Sequence, residues 1–437
     1  MPVVLSRNGN SQFGSQFNVI ISRAGDYQLR CWLRVQIPAI SISWTSSNVP
    51  VPGWNPADLN IRWTRNLMHN LCSEVCLSFN DLVESRFDNW FLDFWAAFTI
   101  PAGKRNGYNN MIGNFEELTN PTLLGNYNTL PTAVLNLPLP FSHYRESGLA
   151  LPTAALPYNE MKLSFVFRQW YQLLIVDNLT LGVSTAWPAN LLPSNNAVPQ
   201  LIADVWSEYA LVSNMERVQM GKAPRDMLIE QVQTAPMQVF NATSTTAVNN
   251  LMNVYFAHSI KSLFFAVQNI TNPSEWSNYT AGSPWPTPAG VIMSPLFSTD
   301  PIAATSLFYE NTQRLSLMGS DYFSLIQPWY TTVSIPLETG YHVYNYTLDL
   351  LSSNPLGSTN YGKLTNVSLA FTASADAIVA ASVVGTLASP NQNFVSSGAP
   401  VPQQYQSIVE GINHNVIRIA GGALNNQRSE ERRVGKE

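Results

Sequence analysis

Two stretches decide how this chain reads: Leu137-Pro-Leu-Pro-Phe-Ser-His-Tyr-Arg-Glu-Ser-Gly-Leu-Ala-Leu-Pro152 and Trp206-Ser-Glu-Tyr-Ala-Leu-Val-Ser-Asn-Met-Glu-Arg217. Prolines 138, 140 and 152 fix φ and withhold backbone donors, so the first is an extended, punctuated passage. The second reads as a strand running into a capped helical turn. Ser213-Asn-Met-Glu216 has capping-box spacing, with the Ser213 hydroxyl placed to accept the Glu216 N–H, and Gly221 is a fitting C′ stop.

Outward from these passages the same punctuation continues. Prolines and glycines are scattered throughout, and between them lie short runs rich in β-branched and aromatic residues: Phe17-Asn-Val-Ile-Ile-Ser22, Leu163-Ser-Phe-Val-Phe167, Gln172-Leu-Leu-Ile-Val176, Ser262-Leu-Phe-Phe-Ala-Val-Gln268 and Val367-Ser-Leu-Ala-Phe-Thr372. That is an all-β pattern, and without long amphipathic helices a parallel α/β sheet is disfavoured. One further short helix is predicted where Trp90, Phe91, Phe94, Trp95 and Phe98 share a helical face, placed to close an end of a sandwich.

At 437 residues the chain exceeds what one core serves, so two domains are predicted. The charge-free, Pro/Asn/Ser-rich stretch from Leu181 to Gln200 marks the division: residues 1–200, then 201–427. Residues 428–437, Arg-Ser-Glu-Glu-Arg-Arg-Val-Gly-Lys-Glu, carry seven charges in ten positions and read as a foreign tail outside the fold.

Charged residues are only 12% of the chain against about 25% in ordinary globular proteins, and the net charge is −5. The low charge suits surfaces buried against other copies, and the negative balance argues against nucleic acid as a direct partner. Met1-Pro-Val-Val-Leu-Ser-Arg-Asn-Gly9 turns polar too soon for a secretory leader. The weakly polar run Ala377 to Ala388 is too short for a transmembrane segment and reads as a buried strand. Three cysteines, Cys31, Cys72 and Cys76, fit a reducing compartment without disulfides.

Candidate chemistry is thin. His69, Cys72 and Cys76 would share a face if Arg65 to Cys76 were helical, yet structural zinc needs four ligands and no fourth stands nearby, so buried thiols and a surface histidine are the better reading. The five histidines (69, 143, 258, 342 and 414) lie in no catalytic signature. Asp81, Glu84, Asp88 and Asp93 crowd one segment and read as turn and cap residues rather than as the acid/base pair of a glycoside hydrolase. Gly221-Lys222 lacks the glycines of a phosphate loop. Twelve tryptophans suggest either sugar-stacking platforms or core and interface filling; the latter is favoured because they sit in strand-like runs. Six glycosylation sequons, at Asn178, Asn241, Asn269, Asn278, Asn345 and Asn366, read as chance matches. No catalytic, cofactor or metal site is expected.

Taken together, the quoted passages resemble the major capsid proteins of nucleocytoplasmic large DNA viruses over about Leu71 to Ala423. The resemblance rests on Phe79-Asn-Asp-Leu-Val-Glu84, Trp90-Phe-Leu-Asp-Phe-Trp95 and Met111-Ile-Gly113, and on the Leu137–Pro152 passage with Tyr158-Asn-Glu160. It continues through Glu208 to Arg217, Leu228 to Gln233, His258 to Gln268, Tyr322 to Pro328, Gly340-Tyr-His-Val-Tyr344, Pro355 to Asn360 and Asn415 to Ile419. The wording of the Glu208 and Arg225-Asp-Met227 segments leans toward the asfarvirus-like branch. After the Arg-Ile motif the family continues with a hydrophobic strand, whereas Gly421-Gly-Ala-Leu424 runs into the charged tail, so the last strand reads as shortened.

The resemblance implies a double jelly roll, two eight-stranded antiparallel domains in tandem with a few short helices, and a structural protein, not an enzyme, with no cofactor. It implies homotrimers that form pseudo-hexagonal capsomers tiling an icosahedral virion shell assembled in the host cytoplasm. The implied partners are neighbouring capsomers, minor capsid proteins and inner membrane proteins. A carbohydrate-binding β-sandwich is the alternative that the tryptophans keep open.

Overall fold

The computed structural model of the chain describes residues 1–8, 11–121, 128–180, 183–222, 224–242, 250–282, 300–382, 393–394, 400–420 and 423–426. The charged tail and the second part of the Ala377 to Ala388 run lie outside these residues.

In the first half, Tyr27–Ile37 shows why its sequence forms a strand. Cys31, Leu33, Val35 and Ile37 are buried, while Arg30, Arg34 and Gln36 are exposed and Trp32 half-buried, the period of two that a sheet with one wet face requires. It lies inside a four-stranded sheet ordered Pro2–Val4, Ile202–Ala210, Tyr27–Ile37, Ala133–Pro138. Pro138 is tolerated because Ala133–Pro138 is an edge strand, with no further ladder for Pro138 to supply. Facing this sheet through a shared core is a five-stranded one ordered Ser6–Asn8, Gln16–Ile20, Met161–Phe167, Cys72–Phe79, Leu82–Phe87. A three-stranded sheet of Val183–Ala186, Leu174–Asn178 and Leu59–Trp63 and a two-stranded one of Ile40–Ser41 and Thr129–Leu130 also belong to this half.

The second half is built on a seven-stranded sheet whose path is Arg225–Thr234, Tyr405–Ala420, Ser259–Asn269, His342–Asn345, with Gln238–Phe240, Thr359–Asn360 and Ala423–Asn426 attached beside it. Its companion has the order Leu251–Asn253, Val367–Ala373, Ile302–Tyr309, Thr312–Gly319. The strand pairs of both halves are antiparallel. The all-β expectation therefore holds, and each of the five runs rich in β-branched and aromatic residues overlaps an observed strand.

Ser259–Asn269 is buried on both faces and decides how the halves relate. Leu263, Phe265 and Val267 enter the core confined to the second half. Phe264 and Ala266 point the other way and join Ile408, Ile412, Ile417 and Ile419 in the core of the first half. One hydrophobic core thus runs across the division between the halves.

Four expectations change in detail. Strands on both sides of the predicted 200/201 division, Val183–Ala186 and Ile202–Ala210, pair within the first half, because a proline- and asparagine-rich stretch can also be an ordinary strand connection. Ala375–Ala381 is a helix rather than a strand, capped by the Ser374 hydroxyl accepting from Ala377 N at 3.2 Å; alanine favours helix when nothing demands a pleat. The helix after Ser213 spans Asn214–Lys222, so Gly221 lies inside it, while the Ser213 cap is present with Glu216 N donating at 3.3 Å. The Leu137–Pro152 passage is extended only to Pro138 and then folds into short 3₁₀ turns, Ser142–Tyr144 and Ser147–Leu149.

Candidate functional site, the seam between the halves

The aromatic helix forms as predicted, over Asn89–Thr99, with the Asp88 carboxylate accepting from Phe91 N at 3.0 Å. It does not close the end of a sandwich. It is buried along nearly its whole length, and Phe94 and Phe98 stack on Phe264 of the second half with ring centroids 5.7 and 5.6 Å apart. Phe91 meets the same ring edge-on, and Tyr341 packs edge-on against Phe94. A helix buried on nearly every side must be enclosed by neighbours, and here the second half supplies some of them.

Around this wedge lies a belt of buried charge. Arg62 sits within Leu59–Trp63, bonded to Asp177 at 2.8 Å and to both carboxylate oxygens of Glu275 at 3.2 and 3.0 Å. Burial alone would drive the proton off Arg62, but the two carboxylates hold it charged. Burial pushes Asp177 upward. Arg65 reaches Glu338 at 3.0 Å and the Ser277 carbonyl at 2.9 Å. Arg168 lies 3.8 Å over the Trp276 ring, its pKa pushed down by burial to about 10.

The signature passage serves the same seam. Its turns carry Arg145 over Trp95, 4.1 Å from the ring centroid, and into an ion pair with Glu230 of the second half. Glu230 also takes the Lys261 ammonium at 2.6 Å, and Lys261 donates onward to the Ser352 carbonyl at 2.6 Å. Burial opposes ionisation of Glu230, but the charges of Arg145 and Lys261 outweigh it and hold the carboxyl below its ordinary value. The second passage ends in Arg217, whose guanidinium grips Asp26 at 2.8 and 2.9 Å and ties the Asn214–Lys222 helix to the first half. Gly340 permits close approach here: its φ is +94°, and an added Cβ would stand 2.0 Å from the Tyr279 carbonyl oxygen.

The candidates for chemistry disperse into this architecture. His69 is not at the surface as expected but buried, because both ring nitrogens find partners inside, Nδ1 with Asp93 at 2.6 Å and Nε2 with Tyr108 at 2.8 Å. The Tyr279 hydroxyl donates to the other Asp93 oxygen at 3.0 Å, another bond across the seam. Cys72 begins a strand, its thiol pushed up to about 12 by burial, and Cys76 is half-buried. Among the described residues no group of three His, Cys, Asp or Glu side chains is arranged to hold a metal. Asp81 is an exposed turn residue with φ +65° beside Lys162, Glu84 is buried 3.4 Å from His143, and Asp88 is the helix cap; with Asp93 inside, the four carboxylates have four separate roles. Lys222 is exposed at a helix end. Of the sequon asparagines, 178, 269, 278 and 345 are buried, whereas Asn241 is exposed and Asn366 partly so.

Sequence reasoning missed Arg62, Asp177, Glu230, Lys261 and Glu275. A signal was available: Arg62, Asp177 and Lys261 each stand as a lone charge inside an otherwise uncharged strand of a charge-poor chain. Beside the seam a cleft of about 550 Å³ opens between the halves, lined by Glu84, Asp88, Trp90, Gln231, Thr234 and His258.

Residues 2–212 match the family described as "Major capsid protein N-terminus", and residues 216–425 match "Large eukaryotic DNA virus major capsid protein". The major capsid protein of Wiseana iridescent virus is 50% identical over 97% of this chain and 84% of its own length. That of Tipula iridescent virus is 50% identical over 97% and 88%, and that of Lymphocystis disease virus 1 is 43% identical over 97% and 88%. These iridovirus relatives overturn the lean toward the asfarvirus-like branch. The short segments that suggested it perform packing and capping duties set by the fold, as Arg217 does on Asp26, and such duties do not separate branches. Among solved structures, the PBCV-1 virus capsid aligns with TM-score 0.71 and 19% identity over 98% of this chain and 96% of that one. The Faustovirus major capsid protein aligns with TM-score 0.66 and 11% identity over 96% and 90%. At such identities the likeness is one of fold, and that fold is the double jelly roll.

Proposed function

The chain belongs to the large eukaryotic DNA virus major capsid proteins, and from that premise we propose that it builds a virion shell as homotrimers, each a pseudo-hexagonal capsomer. The family makes it a structural component of the capsid. The observation that carries the finer reading is the core shared across the two halves. A trimer of two-domain chains imitates six-fold symmetry only if the two domains of each chain keep a fixed relation, and Phe264 between three phenylalanines of the Asn89–Thr99 helix supplies that rigidity. We divide the chain into its two jelly rolls after Ala210, where the last strand of the first half ends.

Self-assembly agrees with a chain poor in charge. The other proposed partners are neighbouring capsomers, minor capsid proteins and inner membrane proteins, with assembly in the host cytoplasm. No helix among the described residues is long and apolar enough to cross a membrane. The deciding experiment is the absolute mass of the purified chain by light scattering after size exclusion. A mass three times that of the chain, with hexagonal outlines by electron microscopy, is the expected result; a folded monomer at micromolar concentration overturns the trimer.

A further inference from the structure

One surface of the second half is unusually apolar. Trp329 is 71% exposed, Tyr330 77% and Leu337 64%, and Leu348 at 75% is brought alongside by the bond from Leu350 N to Thr331 O. Trp329 and Leu337 line a groove of about 400 Å³ whose opposite wall is Ala102, Arg105 and Asn106 of the first half. The groove therefore spans the seam, and its shape depends on both halves. Scattered exposed apolar residues need no explanation, but a contiguous patch with Trp and Tyr at its centre has the composition of an interface hot spot.

A second apolar surface lies elsewhere. Met215 is 86% exposed, Leu211 67% and Val218 54%, with Met215 and Val218 three residues apart on one face of the Asn214–Lys222 helix. The two surfaces flank opposite edges of the seven-stranded sheet. The Asn214–Lys222 helix leads directly into the edge strand Arg225–Thr234, whereas the Trp329 segment is bonded to the other edge, Gln327 Nε2 donating to Asn345 O at 3.1 Å. A three-fold ring is made of head-to-tail contacts, each joining two different surfaces, so a subunit must carry one at each side.

We infer that the Met215 face of one copy seats in the Trp329 groove of the next, and that this contact repeats until the third copy closes the ring. The inference rests on the self-assembly proposed above and names its surfaces. Charge agrees: Glu216 is exposed beside Met215, and Lys104 is exposed on the helix that forms the groove's far wall.

The test uses the full chain and its Trp329→Asp and Met215→Asp variants, measured by light scattering across a concentration series with circular dichroism as the folding check. Each variant is expected to lose the three-chain species, association weakening by about tenfold or more. Met215→Cys and Trp329→Cys combined in one chain are expected, on mild oxidation, to give three covalently linked chains on a non-reducing gel, and neither single variant to do so. If the wild type is trimeric while both charge variants keep its mass, or the double-cysteine chain does not cross-link, this contact is wrong and the assembly reading stands. A monomeric wild type removes both.

Discussion

Phe264 and Phe265 are neighbours in sequence, share a chemistry and are both fully buried, yet they face different cores. Replacing either with alanine removes a ring that buries about 150–250 Å² and leaves a cavity, for an expected cost of about 3–5 kcal/mol. Phe264 is placed at the upper end, because three rings of the Asn89–Thr99 helix lie against it at 5.6 to 6.3 Å. The consequences should differ in kind. Phe265→Ala loosens the second half's own core and should lower the stability of that half. Phe264→Ala removes what joins the halves, so calorimetry should resolve two transitions where the wild type shows one, and protease should cut near residues 211–213 before either half melts. Indistinguishable melting and cleavage for the two variants, or a loss below about 1 kcal/mol for Phe264→Ala, would refute the shared core as the coupling between the jelly rolls.

Three further outcomes follow from the buried charges. Glu230→Gln leaves Arg145 and Lys261 facing each other without their counterion and should cost about 3–5 kcal/mol in denaturant titrations; a change below about 1 kcal/mol would show that the pair adds nothing to the seam. Glu410 is fully buried, and burial, then the charge of the neighbouring Asp88 carboxylate and a side-chain hydrogen bond with it, raises its pKa well above the usual value. A raised carboxyl contributes stability below its unfolded pKa of about 4.5 and loses it as pH climbs toward the folded value, so Glu410→Gln should gain on the wild type by up to about 1.4 kcal/mol per pH unit above that point. Equal urea midpoint differences at pH 4 and pH 8 would contradict this. Arg217→Ala unties the Asn214–Lys222 helix from Asp26 and should lower trimer yield in size exclusion more than Lys436→Ala in the charged tail; equal yields count against it.

Strands were legible because their chemistry is local: alternation in Tyr27–Ile37 and β-branched or aromatic density in Val367–Ala373 hold whatever the neighbours are. The Asn89–Thr99 helix was legible as a helix but not as a wedge, since an aromatic face reads the same whichever elements enclose it. The seam's charges were hidden for the opposite reason. Arg62 and Glu275, or Arg145 and Glu230, are far apart in sequence and meet only after both halves have folded, so no spacing could announce them. The lone charge inside an otherwise uncharged strand was the one trace they left. The two motif passages were conspicuous because each delivers an arginine, Arg145 or Arg217, to a carboxylate on a distant element.

The two-faced strand Ser259–Asn269 also sets a problem of timing on the ribosome. The first half can complete its four-stranded sheet once Ala210 has emerged, because every strand in it has by then been made. Ser259–Asn269 has no such early closure: its longest ladder is with Tyr405–Ala420, the last long strand described. At ordinary translation speed that partner arrives on the order of ten seconds later. Throughout that interval an eleven-residue strand with the apolar run Leu263–Val267 at its centre has an open edge and an unclosed core face, the state most prone to pairing with a neighbouring nascent chain. The chain would therefore lean on chaperones while its second half is being synthesised, and on the finished first half to cover Phe264 in the meantime.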